Sequence, residues 1–173
     1  VADHHVTPGK KQWTWGNGDF GKAWDRNLTD EDGPYIELMT GMYTDNQPDF
    51  SWLQPYEEKS WVQYFMPYSE VGYVKNATKD ALLNVELKDD NARLVLYTSG
   101  VNKDVHLLVK DVRGTLLFDK TIQASPAEPF IATFPAEGLK EEEIRIEVRD
   151  SEGKVMLTYQ ADKPEIKPGP DPA

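Results

Sequence analysis

The chain predicts an all-β protein that ends in an immunoglobulin- or fibronectin-like β-sandwich. Three observations carry this. After about residue 82 apolar side chains alternate strictly with polar ones, the period-two mark of strands with one buried face. Glycine- and aspartate-rich turn signals punctuate these runs. The aromatics change sides: all five tryptophans, and 14 of the 19 aromatic residues, precede residue 75, so the first half has a different character from the second.

In the first half, 12–15, 35–39 and 61–66 are the strand candidates, and 16–19, 30–33 and 45–48 are turns. Residues 21–27 suit a single helical turn. Three or four Trp-rich strands do not close a sheet of their own, so residues 1–82 read as part of a larger sandwich. In the second half the inward positions are Leu83, Val85 and Leu87, then Leu94 and Leu96, then Val105, Leu107 and Val109. Leu116 and Phe118 follow, then Phe130, Ala132 and Phe134, then Ile144, Ile146 and Val148, then Val155, Leu157 and Tyr159. Turns are expected at 89–91, 99–100, 113–114, 137–138 and 151–153. About seven short strands between 83 and 162 is the sandwich pattern. Glu141, Glu142 and Glu143 read as a solvated entry to the Ile144 strand, and His106 as a solvent-facing strand residue. Residues 163–173 hold four prolines and a glycine, which marks a stiff linker. Such a linker, and a start at Val1 rather than at methionine, suggest a piece of a longer polypeptide.

Length fits one ordinary domain or two small ones, and the net charge is -11. That charge argues against nucleic acid and against anionic membrane surfaces as partners. No apolar run reaches membrane-spanning length. With no cysteine, disulfides and thiolate sites are excluded, while the compartment stays open, periplasmic, secreted or cytoplasmic alike. No phosphate-binding glycine loop, Ser-His-Asp arrangement or cofactor motif is visible, so no cofactor is expected.

The stretch PYIELMTGMYTDNQPDF (34–50) places an acid inside an apolar, aromatic strand. Tyr35, Glu37 and Met39 share one face and Ile36 and Leu38 the other. The aliphatic face is expected in a core and the Glu37 face on a concave surface with Trp13 and Trp15. Flat rings with a few polar groups suit a sugar, whose C–H faces stack on aromatics while its hydroxyls seek acids and amides. A carboxylate beside rings is partly desolvated, which moves it towards a usable base. Asp45 and Asn46 are further ligand candidates. The plainer readings stay open: Glu37 as an ion-pair partner, the tryptophans as core, and 45–49 as an Asx-type turn. His4 and His5 are a possible metal pair, but on a strand they would point opposite ways and no third ligand is evident, so no metal site is expected. Asn27-Leu28-Thr29 and Asn76-Ala77-Thr78 match the glycosylation sequon.

Residues 35–68, YIELMTGMYTDNQPDFSWLQPYEEKSWVQYFMPY, resemble the closing segment of the galactose mutarotases, or aldose 1-epimerases. The matching positions are Glu37, Asp45, Asn46, Pro48, Phe50, Leu53, Pro55, Glu57 and the strand around Tyr64. The resemblance implies that Glu37 is the base at an anomeric hydroxyl. Tyr56 stands where that family has glycine, and its general-acid histidine has no counterpart here. Residues 10–41, KKQWTWGNGDFGKAWDRNLTDEDGPYIELMTG, also look like the late signature of an uncharacterised domain of large bacterial proteins. That domain has the mutarotase-like super-sandwich fold and is often followed by tetratricopeptide repeats. This resemblance implies that 1–82 are the last strands of a super-sandwich, 83–162 an immunoglobulin-like spacer and 163–173 a linker.

Two functions follow as expectations. One is part of a carbohydrate-binding or carbohydrate-processing protein, with Glu37 and its aromatic neighbours lining a sugar cleft. The other is a non-catalytic interaction module that packs on the rest of the parent polypeptide. Catalysis by these residues alone is not expected, because an acid–base pair needs both members. Residues 1–82 alone are expected to self-associate or to be poorly stable.

Overall fold

The computed structural model describes residues 1–7, 10–42 and 52–162. Among the described residues the chain is all-β apart from one helix and one 3-10 turn, with its strands in antiparallel sheets. It divides into two units, Val1–Phe65 and Met66–Ala173.

In the first unit, strand β1 (Lys11–Trp13) pairs antiparallel with β2 (Glu37–Met39). Between them lies helix α1, Asp19–Leu28, ten residues long rather than the single turn expected at 21–27. Asp19 in its first turn and Arg26 in its last complement the helix dipole. Its amide end starts at Gly18, whose carbonyl accepts from the Lys22 N–H at 2.9 Å. At the other end the Thr29 hydroxyl donates to the carbonyls of Asp25 (3.0 Å) and Gly33 (2.6 Å). Gly21 is needed where it stands. A Cβ there would lie 2.2 Å from the Gly16 carbonyl oxygen and 2.6 Å from that of Trp15. The helix therefore begins by lying directly on the 15–16 backbone.

The strand expected at 61–66 is reduced to one bridge, Gln63 with Ala2, beside which the Tyr64 carbonyl accepts from the Val1 amino group. Trp61, Val62, Tyr64 and Phe65 all remain exposed, so among the described residues no second layer gives this segment a face to bury. The aliphatic face of β2 is also open. Ile36 is 51% and Leu38 61% exposed, against the expectation that they enter a core. A ribbon of two three-residue strands supplies no opposing layer for that face. The turn expected at 45–48 lies outside the described residues.

The second unit is the immunoglobulin- or fibronectin-like sandwich. Its strands are β3 (Asn76–Ala77), β4 (Ala81–Lys88), β5 (Asn91–Thr98), β6 (Asn102–Asp111), β7 (Leu116–Ala124), β8 (Phe130–Pro135), β9 (Ile144–Arg149) and β10 (Val155–Tyr159). One sheet runs β3-β4-β5-β8, the other β10-β9-β6-β7. Leu83, Leu94, Leu107, Ile144, Val148 and their neighbours from both sheets form one core. At the β4–β5 turn Asp89 and Asp90 take φ of 49° and 60°, the left-handed pair that matches the twist of a two-residue hairpin.

Part of the β4–β5 sheet is buried on both faces. Leu82, Asn84, Val95 and Tyr97 point away from the core yet are buried. Residues 66–75 lie against that face: Asn84 Nδ2 donates to the Val71 carbonyl at 2.8 Å and the Tyr97 hydroxyl to the Pro67 carbonyl at 3.1 Å. Val71 itself is fully buried. The Asn84 Oδ1 atom has no partner.

The Glu141–Glu143 segment is a 3-10 turn, and Glu141 is not a solvated entry residue. Lys75 Nζ donates to its carboxylate at 3.0 Å, and the Tyr159 hydroxyl donates to it as well. Burial pushes the Glu141 carboxyl up, but the Tyr159 and Lys75 contacts outweigh it and hold the group below its ordinary value. These contacts arise because the turn packs beside β10, which the alternation alone did not show. His106 is half-exposed and meets the Asp119 carboxylate at 2.7 Å.

Candidate functional site

The β1–β2 register sets Trp13 directly opposite Glu37, so the two side chains leave the ribbon on one face. Tyr35, two residues before Glu37, donates its hydroxyl to Glu37 Oε1 at 2.7 Å. This bond is the main reason the Tyr35 phenol is pushed above its ordinary value, and the phenol stays protonated as a donor at neutral pH. The Tyr35 backbone N–H in turn donates to Asp25 Oδ1 at 3.0 Å, which ties α1 to the approach of β2.

Trp13 continues into a cluster of rings. Its ring meets Trp15 edge-on, with centroids 4.6 Å apart. Trp15 stacks on Trp24, with centroids 4.8 Å apart and planes 11° from parallel. Phe20 packs edge-on against both Trp15 and Trp24, at 6.0 and 6.3 Å. Phe20 and Trp24 are four residues apart on α1 and therefore share a helix face. The Trp15 Nε1 donor and the Thr40 hydroxyl are buried without a partner.

The structure thus brings Trp13, Trp15, Tyr35 and Glu37 into one neighbourhood. It adds Phe20 and Trp24, which the sequence reading passed over. Their spacing was the available signal, but it counts only once α1 is accepted as a full helix. Asp45 and Asn46 lie outside the described residues. What remains is a partly exposed cluster of stacked and edge-on rings with one carboxylate, held by a phenol, beside it. Such a cluster can stack on an apolar ligand face and accept hydrogen bonds, or form an ion pair.

The expectation for His4 and His5 is corrected in geometry. They sit in a turn, not a strand, and their rings lie side by side with centroids 3.9 Å apart. Asp3 supplies the missing third group: its Oδ1 accepts from the His5 backbone N–H at 2.9 Å and lies 3.1 Å from His5 Nδ1.

Among the described residues no helix is long and apolar enough to cross a membrane. Compared with known families, residues 1–68 match the model of a domain of unknown function, DUF5107, and residues 76–159 match that of the second domain of YphG-like proteins. Neither description names an activity. No solved structure matches the chain.

Proposed function

We propose that the first unit contributes a carbohydrate-contacting surface to a larger polypeptide, with Glu37 accepting hydrogen bonds from sugar hydroxyls and the tryptophans stacking on the ring. The observation that supports this most is the register that sets Glu37 across from Trp13, next to the Trp15–Trp24 stack, with the Tyr35 hydroxyl fixing one carboxylate oxygen. On this reading the first unit, Val1–Phe65, supplies closing strands of a mutarotase-like super-sandwich and Glu37 is the counterpart of the epimerase base. The sandwich unit that begins at Met66 is a spacer, 163–173 a linker, and tetratricopeptide repeats follow in the parent chain. Turnover needs a general acid from elsewhere in that polypeptide, so binding is the function proposed for this chain.

The test is calorimetric titration and glycan-array screening of this chain and of its parent, each with Glu37→Gln and Trp13→Ala variants. A hydrogen bond to a charged acceptor contributes about 1.5–3 kcal/mol, so Glu37→Gln is expected to weaken binding by about tenfold or more. Binding that is absent, or indifferent to both substitutions, refutes the reading.

A second reading is an interaction module without sugar. The open Ile36 and Leu38 side chains favour it, because an apolar face this exposed suits burial against further protein.

A further inference from the structure

We infer that the 3–7 turn of the first unit holds a site for a borderline divalent transition-metal cation, such as Zn²⁺, Co²⁺ or Ni²⁺, with Asp3, His4 and His5 as its protein ligands. Each of the three offers one ligand atom, and these atoms lie within 4.8 Å of one another. Two imidazoles and a carboxylate suit zinc and its neighbours, whereas calcium and magnesium ask for all-oxygen sets. Three protein ligands also leave a position open for water or a fourth donor.

The backbone beneath the cluster is held in place. The Asp3 carbonyl accepts from the N–H groups of Val6 (3.1 Å) and Thr7 (2.8 Å) and from the Thr7 hydroxyl (3.0 Å). Thr7 is buried, while Asp3, His4 and His5 are exposed. The ligands are therefore exposed side chains on a hydrogen-bonded turn. A tetrahedral zinc centre sets its ligand atoms about 3.3 Å apart; Asp3 Oδ1 and His5 Nδ1 already lie 3.1 Å apart, and rotation of the exposed side chains supplies the remaining adjustment. In doing so the cation takes over the Asp3–His5 contact. The chain's net charge of -11 raises the local concentration of cations. Nothing in this inference depends on the sugar-contacting surface.

The experiment is titration of the untagged chain with Co²⁺, followed by visible absorption, and with Zn²⁺, followed by calorimetry. The expected result is saturation at one metal per chain. Removing one of three ligands is expected to cost about tenfold or more in affinity, so His4→Ala, His5→Ala and Asp3→Asn should each weaken binding. His106→Ala, in the second unit, should leave it unchanged. The far-UV spectrum of each cluster variant should match the parent's, because all three side chains are exposed. Uptake that never saturates overturns the site, as does uptake that survives His4→Ala or His5→Ala, or that disappears with His106→Ala. Uptake unchanged in Asp3→Asn overturns the three-ligand set.

Discussion

Asp111 ends β6 as a buried acid, and its charge is fully used. Its Oδ1 accepts from the backbone N–H groups of Arg113 and Thr115, both at 2.8 Å, and its Oδ2 from Arg113 Nε at 3.0 Å. Burial pushes the carboxyl up, but the bonds from Thr115 and Arg113 outweigh it and hold the group at about 2. That folded value lies below the ordinary 3.8, so the ionised group favours the folded state above about pH 4. The contribution is lost as pH falls from there towards 2. Asp111→Asn should therefore be less stable than the parent at pH 6, and the gap should narrow on acidification. Urea midpoints measured between pH 6 and 2 check this; a gap that stays constant or widens on acidification refutes it. The sequence showed Asp111 only as a polar residue after an alternating strand. Its role comes from a turn whose donors lie two and four residues on, and a pattern of hydrophobicity is blind to that.

At the scale of the elements, the strands of the second unit were legible and the elements of the first were not. Alternation located β4 to β10 because each turns a face to the same core, yet Leu116 and Val155, read as inward, are 56% and 41% exposed where β7 and β10 begin. The double burial of β4 and β5 was written in the sequence too, as the run from Leu82 to Val85 and the Val95–Tyr97 pair, but reading it needed the strap at 66–75. Helix α1 is longer than the single turn read at 21–27, and glycine stands at 21 inside it because the helix closely approaches the 15–16 backbone. Of the candidate site, Trp13, Trp15, Tyr35 and Glu37 were found from face arithmetic, whereas Phe20 and Trp24 were lost with the helix. Gly21→Ala should lift α1 off that backbone and disperse the Trp15–Trp24 stack. Overpacking of this kind costs about 1–3 kcal/mol. Near-UV circular dichroism and denaturation followed by tryptophan fluorescence check it, and an unchanged tryptophan signal rules the account out.

At the scale of the whole molecule, the two units differ in how completely they bury their apolar residues. The second closes its core from two four-stranded sheets. The first leaves Phe20, Ile36, Leu38, Trp52, Val62 and Phe65 exposed around a three-residue ribbon with open edges. Exposed strand edges and contiguous apolar surface promote association. Residues 66–162 expressed alone should be a monomer with a single cooperative transition, and residues 1–65 alone should self-associate. Light scattering after gel filtration and thermal melts check both halves of this statement. A monomeric, cooperatively melting 1–65 piece would show that the first unit needs no further partner.

The Asn76 side chain donates to the Thr158 carbonyl at 2.6 Å, and Lys75 and Tyr159 grip the same carboxylate, that of Glu141. The place where the chain enters the sandwich is thereby fastened beside the place where it leaves. Between residues 75 and 159 the polypeptide therefore gains almost no reach. Tension applied at residues 75 and 159 would load that small clasp of side chains first, whereas tension applied further upstream would first peel the 66–75 strap from the β4–β5 face.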